Sequence, residues 1–92
     1  MNIGDIVISI NGRDKGKNFI VIETDSEYSS IANGKTRRIE KPKRKKCKHL
    51  KLESKTDNII VEKIKEGKLT NNELRRHLAA INIADSTRDP VS

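Results

Sequence analysis

The chain has 92 residues, of which 36% are charged, 33% hydrophobic and 2% aromatic, and its formal net charge is +7. One small domain with a short appendage is the expected organisation, and so little apolar wall excludes a large enzyme-type pocket. The longest apolar runs, such as Phe19-Ile20-Val21-Ile22, fall far short of the roughly 18 residues of a membrane helix, and a pI near 9.8 points to a polyanionic partner.

Ile6, Ile8 and Ile10 alternate with Val7 and Ser9, which is strand periodicity. Asn11-Gly12 and Lys15-Gly16-Lys17 then punctuate the chain as turns. Asn18 to Thr24 is β-branched and aromatic with apolar residues at both parities, the pattern of a central strand. Asp25-Ser26-Glu27 reads as a polar turn and Tyr28 to Ala32 as a further strand. Asn33-Gly34 is a two-residue hairpin signal, because both central positions of a type I′ turn need positive φ. It predicts a returning strand over Thr36 to Ile39. Pro42 cannot donate to a ladder, so its surroundings are expected to be irregular. Leu50 and Leu52 share parity and suit one last short strand. Five short strands in about fifty residues favour a small barrel over an open sheet.

After residue 55 the period changes. Thr56-Asp57 can cap a helix carrying Ile60 and Ile64 on one side, with Gly67 placed to end it. Thr70-Asn71-Asn72-Glu73 forms a capping box. Leu74, Leu78 and Ile81 follow at i, i+4 and i+7, which predicts a second amphipathic helix ending near Ile83. Residues 84–92 are polar, contain Pro90, and are expected to be a flexible tail. The expected division is therefore a barrel over 1–55, helices over 56–83 and the tail.

Charge is concentrated in one place. Residues 1–34 hold three bases and five acids, a net −2, whereas residues 35–51 hold ten bases and the single acid Glu40, a net +9. That segment runs Lys35-Thr36-Arg37-Arg38-Ile39-Glu40-Lys41-Pro42-Lys43-Arg44-Lys45-Lys46-Cys47-Lys48-His49-Leu50-Lys51. Its cations repel one another, and an anion relieves that repulsion.

Gly4-Asp5-Ile6-Val7, followed by Gly12-Arg13-Asp14-Lys15-Gly16-Lys17 and an apolar strand containing Val21, resembles the KOW motif. The motif occurs in large-subunit ribosomal proteins and in transcription elongation factors of the NusG type. With Asn33-Gly34 and the basic run ending Lys48-His49-Leu50-Lys51-Leu52, the chain is similar to KOW-type ribosomal proteins of the eukaryotic and archaeal type and to free-standing bacterial KOW-domain proteins. The likeness covers residues 3 to 52, and the helices from Asp57 lie outside it. It implies a mainly β fold, an SH3-like five-stranded small barrel followed here by two short C-terminal α-helices. It also implies RNA, ribosomal RNA or the ribosome, as partner.

On that basis the expected RNA-binding residues are Gly12, Arg13, Lys15, Gly16, Lys17, Lys35, Arg37, Arg38, Lys41, Lys43, Arg44, Lys45, Lys46 and Lys48. The two glycines allow tight turns and a close backbone approach, and the cations reach phosphates. The alternative is a protein-interaction module of the transcription or translation machinery, with a partner on the C-terminal helices. No catalytic residue, cofactor, metal, membrane or small-molecule substrate is assigned. Cys47, His49 and His77 are too few for a structural zinc site. Phe19 and Tyr28 are the only aromatics, which disfavours base stacking. No apolar stretch follows Met1, so no secretory signal is expected. The single cysteine suits a reducing compartment, and a cytoplasmic location is the expectation.

Overall fold

The computed structural model describes residues 1–88. Its strands are β1 (Asp5–Ser9), β2 (Asn18–Thr24), β3 (Tyr28–Ala32), β4 (Lys43–Lys46) and β5 (Leu50–Lys55), with a 3-10 turn at Cys47–His49. Two helices follow, α1 (Asn58–Lys65) and α2 (Asn71–Arg88). All five strands pair antiparallel in one sheet of order β4-β3-β2-β1-β5. The run of apolar residues at both parities is thus the middle strand. The sheet is open, because no ladder joins β4 to β5. It is nevertheless curled. Register shifts interrupt β1 against β5 between Ile6 and Val7, and β2 against β3 between Val21 and Glu23. Such irregularities bend and twist a strand. The curl brings Lys45, on one edge strand, to Ser9 at the far end of β1, with Nζ donating to the Ser9 hydroxyl at 2.6 Å.

Alternate residues of the central strands enter two different cores. Val7, Phe19, Val21, Ile31 and Leu50 fill the inside of the curl. Ile6, Ile20 and Ala32 lie on the opposite face, under Leu69, Leu74 and Leu78, with Ile60, Ile64 and Ile81 at the margin. The helices are therefore the second layer of a shared core. Their ends follow local chemistry. The Asp57 carboxylate accepts from the Ile60 amide at 3.1 Å. Gly67, at φ +70, closes α1 as Lys68 N–H donates to the Lys63 carbonyl. The expected capping box forms, with Glu73 N–H donating to Thr70 Oγ1 at 3.1 Å.

Two expectations are corrected. Thr36 to Ile39 is not a strand. Gly34 takes positive φ, +78, but Asn33 Oδ1 accepts from the Lys35 and Arg37 amides, and Asn33 and Gly34 N–H both donate to the Arg37 carbonyl. These bonds close the segment into a compact loop in place of a returning strand. The partner of β3 is β4, which starts immediately after Pro42 and pairs Ile31 with Lys43 and Tyr28 with Lys46. Second, α2 continues past Ile83 to Arg88. No glycine or proline interrupts residues 71–88, and the first breaker, Pro90, falls in residues 89–92, where the rest of the expected tail lies outside the described residues. Leu50 and Leu52 do lie in one last short strand, β5, where Leu50 is buried and Leu52 is 48% exposed.

Candidate nucleic-acid interface

The loop between β1 and β2 is fixed by its own backbone. Gly12 and Gly16 hold φ of +76 and +86, and Gly16 N–H donates to the Ser9 carbonyl at 2.7 Å while Lys17 N–H donates to that of Asp14 at 3.0 Å. In this frame Asp14 turns inward and is 5% exposed, whereas Arg13, Lys15 and Lys17 turn out to solvent. Asp14 meets Arg37 at 3.2 Å. That ion pair clamps the first basic element to the loop between β3 and β4.

The pairing of the second element divides its cations by role. Lys45 Nζ donates to Ser9 Oγ and to the Asn11 carbonyl, both at 2.6 Å, so its ammonium stitches β4 to the first loop. Arg37 is half-buried in the clamp, and its Nε has no protein partner. Arg38 pairs with Glu40 at 3.3 Å. Arg44 lies 4.5 Å over the Tyr28 ring and 3.6 Å from Asp25. The amides of Tyr28 and Glu27 hold the Asp25 carboxyl below the usual range, and Arg44 adds to this. Arg13, Lys15, Lys17, Lys35, Lys41, Lys43, Lys46 and Lys48 are exposed and have no acidic partner among the described residues.

The two elements meet in a cleft of about 310 Å³ whose walls include Gly12, Arg13, Arg37, Lys43, Lys45 and His49. Its one acid is Asp14, already neutralised by Arg37. Arg38, Lys41 and Arg44 line an adjoining hollow that shares Arg37 and Lys43 with it. Strand alternation sends the rest elsewhere. Arg44 and Lys46 stand on the other face of β4 from Lys43 and Lys45. Lys46 and Lys48 lie with Glu27 and Cys47. Gly16, Lys17 and Lys35 face away from the cleft, toward α2. Lys15 is exposed and lines neither hollow. The twelve cations and two glycines therefore form a basic belt spread over several faces, and the cleft is its convergent point.

The remaining candidates have ordinary surroundings. Phe19 is fully buried and Tyr28 lies half-buried beneath Arg44. Cys47 Sγ sits 3.2 Å from Ser29 Oγ. Among the described residues no three His, Cys, Asp or Glu side chains converge on a common point, and no helix is long and apolar enough to cross a membrane.

Two residues that sequence reasoning passes over shape the belt. Asn71, 7% exposed at the start of α2, accepts the Ile39 amide on Oδ1 at 2.8 Å and donates from Nδ2 to the Glu40 carboxylate. Desolvation pushes the Glu40 carboxyl up, but its own amide, Arg38 and Asn71 outweigh this and hold it below the usual range. Arg75 donates from Nη1 to the Gly34 carbonyl at 2.7 Å. The Asn71 hydrogen bonds span more than thirty residues of chain, so no local pattern signals them. A scan against protein-family models finds no match, and neither does a search of the curated proteins.

Proposed function

We propose that the protein binds structured RNA, ribosomal RNA in the first instance, as a cytoplasmic KOW-type protein whose curled sheet is an SH3-like barrel. The observation that carries this reading is the convergence of Arg13, Arg37, Lys43 and Lys45 on one cleft whose only carboxylate is already paired. Such a cleft concentrates positive potential where a phosphate can sit, and the exposed lysines around it replace counterions along the backbone. Gly12, exposed and without a side chain, leaves room for the backbone to come close. With no free aromatic platform, recognition rests on phosphate position and RNA shape rather than on base stacking. The reading needs no catalysis, cofactor or metal. The alternative, a module that docks a protein on its C-terminal helices, is weakened because Leu74 and Leu78 spend the apolar stripe of α2 on the chain's own sheet.

The test is a titration of RNA at several salt concentrations. Contact with about six phosphates gives a slope of log K against log salt of roughly −4 to −5. Replacing Arg13, Lys15 and Lys17 by Ala makes that slope shallower. A slope near zero overturns the reading. Crosslinking in cells and sequencing the attached RNA identifies the partner.

A further inference from the structure

The loops at residues 10–17 and 33–42 have two sides. One side is the cleft with Arg13, Arg37 and Lys43. On the other side Lys17 and Lys35 face α2 across a groove of about 600 Å³, whose far wall carries Arg75, Leu78 and Ala79. Three cations line this groove and no carboxylate does. Arg75 is exposed but held in place. Its Nη1 is fixed to the Gly34 carbonyl, and its Cγ lies 3.2 Å from where a Cβ on Gly34 would stand. One donor is engaged and the rest of the guanidinium stays available. A side chain already held in one conformation loses less entropy on meeting an anion than a free one does.

We propose that this groove is a second phosphate-contact site, in which Arg75 joins Lys17 and Lys35 on the sugar–phosphate backbone of the same RNA that enters the cleft. The inference rests on the RNA-binding reading and deepens it. Three observations point to that occupant. The charged side chains of the lining, Lys17, Lys35 and Arg75, are all cations. The groove is built from the same two loops as the cleft, so one strand can pass from one into the other. The apolar floor at Leu78 and Ala79 suits a ribose better than a small hydrated ion. The helical layer then belongs to the binding surface, although α2 lies outside the KOW-like segment.

The experiment compares salt slopes for a fluorescently labelled RNA stem-loop among Arg75→Gln, Arg75→Lys and Arg76→Gln. Gln removes the charge but is two bonds shorter than Arg, so melting curves verify the fold of each variant. Arg76 is exposed on the same helix but does not line the groove. The expected result for Arg75→Gln is a slope shallower by about 0.7 to 0.9 and binding weaker by roughly three- to tenfold. Arg75→Lys keeps the slope of the parent, and Arg76→Gln changes little. If Arg75→Gln binds like the parent while a cleft variant with Arg13→Ala and Lys43→Ala weakens, the groove is overturned and the RNA reading stands. Equal losses in Arg75→Gln and Arg76→Gln also overturn it, because they reflect net charge alone. If the parent protein shows no salt-dependent RNA binding, both inferences fall together.

Discussion

Gly16 and Gly34 share a left-handed backbone, at φ +86 and +78, but only Gly34 is crowded. A Cβ on Gly16 meets nothing within 4 Å, whereas one on Gly34 lies 2.5 Å from the Asn71 carbonyl oxygen. The two substitutions therefore separate conformational strain from a clash. Gly16→Ala is expected to lose about 1 kcal/mol from its φ alone. Gly34→Ala loses more, because the loop and the start of α2 must move apart. Equal losses in denaturant titrations rule out a tight approach at Gly34. Asn71 acts from the other side of this contact. Asn71→Ala leaves the Ile39 amide without its acceptor, at a cost of about 1–3 kcal/mol. It also frees Glu40 from its amide partner and loosens the loop that carries Arg37, Arg38 and Lys41. RNA binding should weaken although no cation is removed. Unchanged affinity in the folded variant shows that the loop does not need α2 for its shape.

Among the elements, β2, β3 and the start of α2 are legible in the sequence because local signals decide them. Asn18 to Thr24 is apolar at both parities, and both sides of that strand are in fact core. The Thr70–Glu73 pattern caps a helix as its spacing requires. β4 is not legible, because Lys43-Arg44-Lys45-Lys46 has no apolar alternation. It is a strand through backbone pairing with β3, and its lysines suit an edge that must not pair further. The candidate site follows the same division. The basic segment and the glycine loop stand out in the sequence, but the Asp14–Arg37 clamp that joins them is a long-range contact. The helices are likewise tied to the sheet by their core, which makes an element-scale prediction. Leu78 is 5% exposed among Ile6, Ile20 and Ala32. Leu78→Ala should cost about 2–5 kcal/mol. Sheet and helices should still melt as one unit. Tyr28, the only tyrosine, reports β3 by fluorescence, and far-ultraviolet circular dichroism reports the helices. Separate transitions from the two probes exclude a shared core.

For the whole molecule, acidic side chains act as joints in a chain with excess positive charge. Glu73 joins α2 to α1 through Lys63, Glu40 joins the basic loop to Asn71, and Asp25 joins the β2–β3 turn to Arg44 on β4. The Lys63 ammonium, with Thr70, holds the Glu73 carboxyl below its usual range against some desolvation. Asp25 and Glu40 are lowered as well. A carboxyl with a lower pKa in the folded chain than in the unfolded chain binds fewer protons when folded. Its contribution is present above the ordinary values, 3.8 for Asp and 4.5 for Glu, and is lost as pH falls through the folded value. Self-repulsion acts in the same direction, because protonating the 13 acids leaves 20 Lys and Arg uncompensated. The melting temperature should therefore change little from about pH 7 to pH 5 and fall steadily below pH 4.5 or so. Glu73→Gln, which removes one joint, should lower the neutral plateau slightly and make the acid limb shallower. A melting temperature that holds constant down to about pH 3 contradicts the role given to these carboxylates. An acid limb identical in Glu73→Gln and the parent places the effect in overall charge instead of in the Glu73 joint.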